Sequence, residues 1–190
     1  MRQPLRLRRT IDWLVFRGPK IALMRVTMQV YRQVTGRPVY RYSQVAERLY
    51  VGGQYRRWGW RSMQAHGINS VVNLRRHGAR QLGVVPPYYL HLPTQDNTAP
   101  SMEALVAGVR FIQERIAAGD SVYIHCGVGV GRAPTLTAAY LVSTGMTPDE
   151  AWQRLRSVRP FIFPLKGQMR QVSAYAALLA DSSADSGGVE

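Results

Sequence analysis

The sequence predicts an α/β layered domain with a central mixed sheet of about four to five strands flanked by helices. From about Tyr40 onward, short β-rich runs alternate with helix-like runs, the pattern of strands covered by helices. The 190 residues are 46% hydrophobic, which is enough for a buried core in one domain with some extra length. A glycine-rich loop also joins an apolar strand directly to a helix, a typical α/β connection.

Four strands and six helices follow from the residue pattern. The strands are predicted at residues 49–52, 70–74, 88–92 and 121–125, and the helices at residues 19–34, 55–66, 102–118, 134–142, from 148 onward, and 166–179. Ser101 is a predicted N-cap of the third helix. Thr147 caps the fifth, with Pro148 at its first position and acidic residues in its first turn.

Three regions are predicted along the chain. Residues 1–38 form a basic N-terminal helical extension, residues 39–180 the catalytic domain, and residues 181–190 a disordered tail rich in Ser, Gly and Asp. In the extension, apolar residues recur at three- and four-residue spacing, which favours a helix that packs on the domain: Ile21, Met24, Met28 and Tyr31. The alternative is a membrane-surface helix, since arginines lie near Trp13 and Phe16.

The charge is concentrated at the N-terminal end. The formal net charge is +14, and residues 1–61 carry +12 of it, with 14 basic and two acidic residues. Such an excess of arginine favours phosphate-rich partners, including an anionic membrane surface, although genome composition alone also produces an arginine bias. The longest apolar run near the N-terminus covers residues 13–16, so neither a membrane-spanning helix nor a signal peptide is predicted.

Cys126 is the single cysteine, so an intramolecular disulfide is excluded. A lone thiol fits a reducing compartment and leaves the sulfur available for chemistry. The expected location is therefore cytoplasmic, with a peripheral membrane location as the variant that the basic extension suggests.

The residues around Cys126 predict an anion-binding loop. The apolar strand ends at His125-Cys126, three alternating glycines follow at Gly127, Gly129 and Gly131, and a helix begins shortly after, near Pro134. Glycines let consecutive backbone N–H groups converge on one point, and the helix N-terminus adds its positive end. Arg132 can bind a phosphate bidentately. The predicted substrate-binding set is His125, Gly127, Val128, Gly129, Val130, Gly131 and Arg132.

The same positive potential stabilises a thiolate on Cys126, which predicts nucleophilic attack on phosphorus and a phosphocysteine intermediate without a metal or cofactor. Asp96 lies 30 residues before Cys126 in a polar, proline-bounded segment, and is the candidate general acid for the leaving oxygen. The alternative for Asp96 is a turn-forming residue beside Asn97.

These residues resemble the dual-specificity phosphatases of the protein-tyrosine phosphatase superfamily. The resemblance covers about residues 40–180 and includes His-Cys-x5-Arg at residues 125–132, the acidic loop, and three further segments: residues 49–53, 67–74 and 159–164. It implies a protein-tyrosine-phosphatase-like fold, with Cys126 as nucleophile, Arg132 as phosphate ligand and Asp96 as general acid. His125 would orient the cysteine through its hydrogen bonds.

The sequence departs from that pattern in three ways. Ala133 stands where most relatives have Ser or Thr, and Leu165 stands where an Asn often follows the proline. Either Gln168 or Gln171 is then the candidate to position the attacking water. The loop also lacks the lysines usual in lipid- and inositol-directed relatives.

The leading functional hypothesis is a metal-independent phosphomonoester hydrolase of the protein tyrosine and dual-specificity type, with a phosphorylated protein as substrate. The alternative is a phospholipid or phosphoglucan phosphatase with the same mechanism. A non-catalytic phospho-binding protein is the third hypothesis, supported by Ala133 alone. Nucleic acid is not an expected partner.

Overall fold

The structure, a computed structural model, describes residues 5–78 and 83–186, with the side chains of residues 18–78 and 83–182. The helices are α1 Leu5–Thr35, α2 Trp60–Ala65, α3 Met102–Ala117, α4 Arg132–Ser143, α5 Pro148–Val158 and α6 Lys166–Ser186. The strands are β1 Gln44–Ala46, β2 Leu49–Gly53, β3 Ile68–Asn73, β4 Tyr88–His91 and β5 Ser121–Cys126. Two single 3₁₀ turns lie at Tyr40–Tyr42 and Arg57–Gly59.

The five strands form one mixed sheet in the order β1-β2-β5-β3-β4, which confirms the predicted fold class. Strands β2, β5, β3 and β4 run parallel, and only β1 is antiparallel to its neighbour. Strand β5 lies at the centre, with Cys126 opposite Gly53 of β2 and His125 opposite Asn73 of β3. Ligands bind beyond the carboxyl ends of parallel strands, and β5 ends there at Cys126.

Alternate residues of the central strands face two different layers, as the period of two in a strand requires. Val122 and Ile124 join the larger core with α3, α4, α5 and α6, whereas Tyr123 joins a smaller core with Trp60 and Met63 of α2. All six residues of β5 are buried, so the residues that lead into the loop are held on both sides of the sheet.

The predicted helix starts at Ser101 and Thr147 are confirmed. The Ser101 hydroxyl accepts a hydrogen bond from the Ala104 N–H. Thr147 and Glu150 form a capping box, with Pro148 in the first turn. Helix α4 begins at Arg132, two residues before the predicted start, because a proline in the first turn of a helix costs no backbone hydrogen bond.

The helix predicted at residues 55–66 is mostly wrong. Residues 54–56 belong to no helix or strand, Arg56 is extended, a 3₁₀ turn follows, and α2 covers only Trp60–Ala65. Tyr55 is fully buried in the smaller core, and the Arg56 N–H donates to the Gly36 carbonyl, so tertiary contacts keep this segment out of a helix. The three-residue strand β1 was not predicted, since it is too short to show an alternating pattern.

The final helix is longer than predicted. Helix α6 continues to Ser186, so residues 181–186 of the predicted disordered tail are helical. Alanines at 174, 176, 177, 180 and 184 give this stretch high helix propensity, which outweighs its serines and aspartates. Residues 187–190 of that tail lie outside the described residues.

Helix α1 changes direction at Gly18, whose backbone is not helical, and ends at Gly36, which has a φ of 75°. Beyond Gly18, the helix packs on the domain as predicted, with Ile21, Met24 and Met28 beside Phe161. The side chains of Trp13 and Phe16 lie outside those described. No described helix is both long and apolar enough to cross a bilayer. The boundaries of the three predicted regions stay predictions.

Candidate active site

The loop after β5 is shaped by contacts on its outer side. The Gln54 N–H donates to the Gly127 carbonyl at 3.0 Å, and the Phe163 N–H donates to the Val130 carbonyl at 2.7 Å. The Arg159 guanidinium donates to the Gly129 carbonyl at 3.2 Å. Because C=O and N–H point in opposite directions across a planar peptide, the N–H groups of residues 128, 130 and 131 point away from these partners. Hydrogen bonds to the carbonyls on the outer side of the loop therefore leave these N–H groups on its inner side, where the sequence predicts an anion-binding site.

Gly129 is required at its position for two reasons. Its φ is 78°, which favours glycine, and a Cβ there would overlap the backbone of Gly52 and Gly53 at the end of β2. This close approach lets the loop fold back over β2 and keeps Cys126, which is buried, at its base.

The structure brings Arg132 and Asp96 together. The Arg132 Nη2 lies 3.0 Å from Asp96 Oδ1, and Nη1 donates to the carbonyls of Thr94 at 2.8 Å and Leu74 at 3.1 Å. A guanidinium has five N–H groups, so the Nε–H and one Nη2–H are left for a ligand. These two neighbouring donors form the fork that matches a phosphate. Arg132 thus holds the Asp96 loop with three of its N–H groups, and the remaining two have the geometry that a bound phosphate would need.

Asp96 lies in a turn and beside the loop at the same time, so the two interpretations of this residue are compatible. Its carboxylate accepts from the Asn97 N–H at 3.2 Å, and Asn97 has a φ of 68°. The side chain is 68% exposed, so the carboxylate can reach a ligand that enters from solvent.

Gln168 is the glutamine that the structure places at the loop. Its amide donates to the Thr98 carbonyl at 2.8 Å, and its Oε1 accepts from the Leu165 N–H at 2.9 Å. A Cβ at Gly131 would lie 3.0 Å from that Oε1, so Gln168 packs directly against the loop. The Thr135 hydroxyl donates to the Gly131 carbonyl at 2.9 Å within α4, as expected for a residue in the first helical turn.

His125 is fully buried between aromatic rings. Its ring centroid lies 5.4 Å from that of Tyr55 and 6.0 Å from that of Tyr123. Nδ1 lies 3.4 Å from the Cys126 carbonyl oxygen. A carbonyl can only accept a hydrogen bond, so Nδ1 carries the proton. Nε2 has no hydrogen-bond partner within the described part of the chain. Burial lowers the pKa of His125 to about 3, so the ring is neutral at physiological pH.

This burial predicts a pH-dependent stability. Between pH 6.5 and about 3, the unfolded chain protonates this histidine and the folded chain does not, so stability falls as the pH falls through that window. The expected contribution is up to about 1.4 kcal/mol per pH unit. Urea unfolding of the wild type and His125→Asn at several pH values measures it. The difference in unfolding free energy between the two proteins should shrink as the pH falls, and parallel curves would contradict the expectation.

Two arginines for which the sequence predicts no role also hold the site. Arg159 is buried, donates to the Tyr42 carbonyl and to Gly129, and its burial lowers its pKa to about 10. Arg32 of α1 is buried against Gly53 and donates to the Gln54 carbonyl. Arg159 belongs to a segment that carries the family resemblance, which was a usable signal. No pattern in the sequence marks Arg32.

The arginines after β3 have different positions. Arg75 is half-buried and donates to Gln54 Oε1 at 2.8 Å, so it lies at the carboxyl edge of the sheet, whereas Arg76 is exposed and Arg80 lies outside the described residues. Arg32 and Arg75 therefore bind the same glutamine, whose N–H holds the loop at Gly127. Like charges so close together favour an anionic ligand nearby. Within the described residues, no group of three or more side chains has the composition of a metal site.

The model of the family "Dual specificity phosphatase, catalytic domain" matches residues 49–177, which include the Asp96 segment, the loop and most of α6. The chain belongs to this family.

Several known proteins are similar to it. Phosphatidylglycerophosphate phosphatase PTPMT1 of Arabidopsis thaliana is 38% identical over 89 residues, which are 46% of this chain and 26% of that protein. Human dual specificity protein phosphatase 8 is 27% identical over 157 residues, 78% of this chain and 25% of that protein. A crystal structure of PTPMT1 superposes with a TM-score of 0.68 at 22% identity and covers 75% of this chain and 98% of that one. The chain thus spans well under half the length of these two curated relatives.

Proposed function

We propose that this protein is a metal-independent phosphomonoester hydrolase that works through a phosphocysteine intermediate. The observation that carries the proposal is the position of Cys126 at the base of a loop whose far end is Arg132, with Asp96 paired to that arginine at 3.0 Å. A nucleophile, an anion-binding fork and an acid are thereby assembled around one point.

The reaction proceeds in two steps. The Cys126 thiolate attacks phosphorus, the S–P bond forms, and the bond to the leaving oxygen breaks as Asp96 in its acid form gives that oxygen a proton. Water then attacks the phosphocysteine and loses its proton to Asp96, and the thiolate leaves as phosphate is released. Arg132 and the loop N–H groups bind the phosphoryl oxygens in both steps. Gln168, at the loop beside Gly131, is the residue we assign to position the water.

The first test is hydrolysis of p-nitrophenyl phosphate by the purified protein in the presence of EDTA. Steady release of p-nitrophenol, with 32P trapped on cysteine after acid quenching of a labelled phosphomonoester, supports the mechanism. Phosphocysteine that accumulates without steady turnover would instead identify a non-catalytic phospho-binding protein, for which Ala133 is the motivating residue. Absence of both overturns the proposal.

The role of Asp96 predicts a dependence on the leaving group. Asp96→Asn should slow hydrolysis of an alkyl phosphate about 10²–10⁴-fold, because an alkoxide leaves poorly without a proton. An aryl phosphate with an acidic phenol should be affected much less, since that phenolate leaves unassisted. Rates measured across a series of leaving groups check this, with Asp149→Asn on α5 as the matched control. Equal slowing for all leaving groups would remove Asp96 from the acid role.

A phosphoprotein is the first candidate substrate, and dual specificity protein phosphatase 8 is a relative whose name carries that activity. A phospholipid is the second candidate. The Arabidopsis relative at 38% identity is named for phosphatidylglycerophosphate, and a further Arabidopsis relative with the same activity in its name is 33% identical over 92 residues. Phosphate release from tyrosine- and threonine-phosphorylated peptides, from lipid phosphomonoesters in vesicles and from phosphorylated glucan separates these substrates. For location, we propose the cytoplasm, with a peripheral position at a membrane surface as the variant.

A further inference from the structure

Helix α1 has two apolar faces, and only one of them packs on the domain. Ile21, Ala22, Met24 and Met28 form the inner face against Phe161, Phe163 and Val130. The opposite face carries four exposed aliphatic side chains, 54–71% accessible, which we call the outer stripe: Leu23, Val26, Val30 and Val34. At 100° per residue, these four positions fall within an arc of about 80°, so they form one continuous line along the helix.

Trp58 extends the outer stripe at its C-terminal end. Its indole is 63% exposed, and Nε1 donates to the Val34 carbonyl at 2.9 Å. Other exposed apolar side chains, such as Val106 on α3 and Leu178 on α6, stand on separate elements. Single exposed apolar residues are ordinary, whereas a line of five indicates a surface that meets another apolar phase. Tryptophan in particular is enriched where an apolar phase meets water.

The charges around the stripe favour an anionic lipid surface over a second copy of the chain as the partner of this face. Lys20 of α1 and Arg57 beside Trp58 are exposed, and Arg56 is held next to the helix by a 2.9 Å hydrogen bond to Gln33. Residues 1–61 as a whole carry a net charge of +12. A second copy of the chain on this face would bring two such regions together and meet strong repulsion. A surface of anionic lipids attracts the same charges and also accepts the apolar stripe.

The inner contacts place the phosphate-binding loop close to this surface. Val130 of the loop packs beneath α1, and Arg32 of α1 lies against Gly53 and Gln54 at the end of β2. The loop is thus separated from the outer stripe by about one helix diameter, roughly 10 Å. A bilayer that contacts the stripe would therefore lie near the loop as well.

We propose that the outer stripe and Trp58 form a docking surface for an anionic lipid bilayer, with α1 lying parallel to the membrane plane. Docking itself is independent of catalysis. Its use in presenting a substrate to the loop rests on the proposed function. The apolar side chains enter the boundary between headgroups and acyl chains, and the surrounding arginines and lysine bind lipid phosphates.

The test is co-sedimentation of the full chain with phosphatidylcholine vesicles that contain 30% phosphatidylglycerol. Binding is expected for the wild type, with affinity that falls as the salt concentration rises, and with at least tenfold weaker binding to pure phosphatidylcholine. The double variant Val26→Asp/Val30→Asp should bind at least tenfold more weakly than the wild type. The matched control is Val106→Asp/Leu178→Asp, which also replaces two exposed aliphatic side chains by aspartate, at positions 44% and 41% exposed on other helices. It changes the net charge by the same amount and should bind the vesicles at least tenfold more tightly than the stripe variant.

Equal binding by the two double variants would overturn the proposal. A second result would also overturn it: light scattering without lipid that finds a dimer for the wild type and a monomer for the stripe variant. A second copy of the chain would then cover this face. Hydrolysis of p-nitrophenyl phosphate in solution is measured on the same samples and should be equal in all three proteins, which shows that they are folded. If the wild type binds vesicles but hydrolyses no phosphate ester, the proposed function fails and the docking surface stands.

Discussion

Replacing Cys126 with serine is expected to reduce turnover of p-nitrophenyl phosphate by at least about 10⁴-fold. The reason is chemical, because a thiolate is a strong nucleophile and a serine hydroxyl at neutral pH is almost entirely un-ionised. The side chain is buried at the end of β5, and sulfur and oxygen differ little in size, so the fold should tolerate the change. Steady-state kinetics with EDTA present measures the loss.

Phosphate binding provides the control for this variant. The loop carbonyls stay bound to Gln54, Arg159 and Phe163, and the Arg132 fork does not involve the thiol, so Cys126→Ser should still be stabilised by phosphate or vanadate in thermal unfolding. Because Cys126 is the single cysteine, iodoacetamide should add one group to the wild type and none to the variant, and phosphate should protect it. Activity above one per cent of the wild type in Cys126→Ser would contradict a cysteine nucleophile.

Local patterns predicted the parts of the site that are contiguous in the chain. The apolar strand, the alternating glycines and the following helix all lie within residues 121–143, so composition and spacing were enough to place the loop. The two capped helix starts were predicted for the same reason, since a cap is formed by residues within four positions of each other. Asp96 was predicted from its distance to Cys126 and its polar segment, and the structure brings it to Arg132.

Contacts between distant segments were not predictable in this way. Arg159 reaches Gly129 and Tyr42 across 30 and 117 positions, and Arg32 reaches Gln54 across 22. The same limit explains the wrong helix at residues 55–66. Tyr55 has no local feature that forbids a helix, and its burial beside His125, together with the contact between Arg56 and Gly36, keeps the segment out of a helix. Tertiary contacts thus outweighed local propensity there.

The sequence correctly predicted that one face of α1 packs on the domain, but it did not reveal the second apolar face of the helix. The periodicity of Ile21, Met24 and Met28 identified the inner face, and the structure confirms that this face packs on the domain, beside Phe161. Leu23, Val26, Val30 and Val34 have a periodicity of their own, and they were not separated from the first set in the sequence. Only the three-dimensional contacts show which of the two apolar lines is covered by the domain.

Replacing Arg132 with lysine is expected to cause the second large loss of activity, because lysine has fewer hydrogen-bond donors. The wild-type guanidinium donates to the Leu74 and Thr94 carbonyls through Nη1 and pairs with Asp96 through Nη2. In the proposed mechanism, Nε–H and the remaining Nη2–H bind the phosphoryl group. A lysine ammonium has three donors and no planar fork, so it cannot hold both the Asp96 loop and two phosphoryl oxygens. We expect kcat/KM to fall by at least about 10²–10³-fold, the loss typical of removing one transition-state hydrogen-bond donor.

The loss in Arg132→Lys should include affinity for the ground state, which separates Arg132 from Asp96. Inorganic phosphate and vanadate should inhibit Arg132→Lys far more weakly than the wild type, whereas Asp96→Asn, which frees the Nη2 of Arg132 from its carboxylate partner, should bind phosphate at least as tightly as the wild type. Iodoacetamide should still modify Cys126 in Arg132→Lys, which shows that the nucleophile is in place. Arg110→Lys, at an exposed position on α3, is the matched control. An Arg132→Lys enzyme within threefold of wild-type kcat/KM would mean that the phosphoryl group is held by the loop N–H groups without the fork.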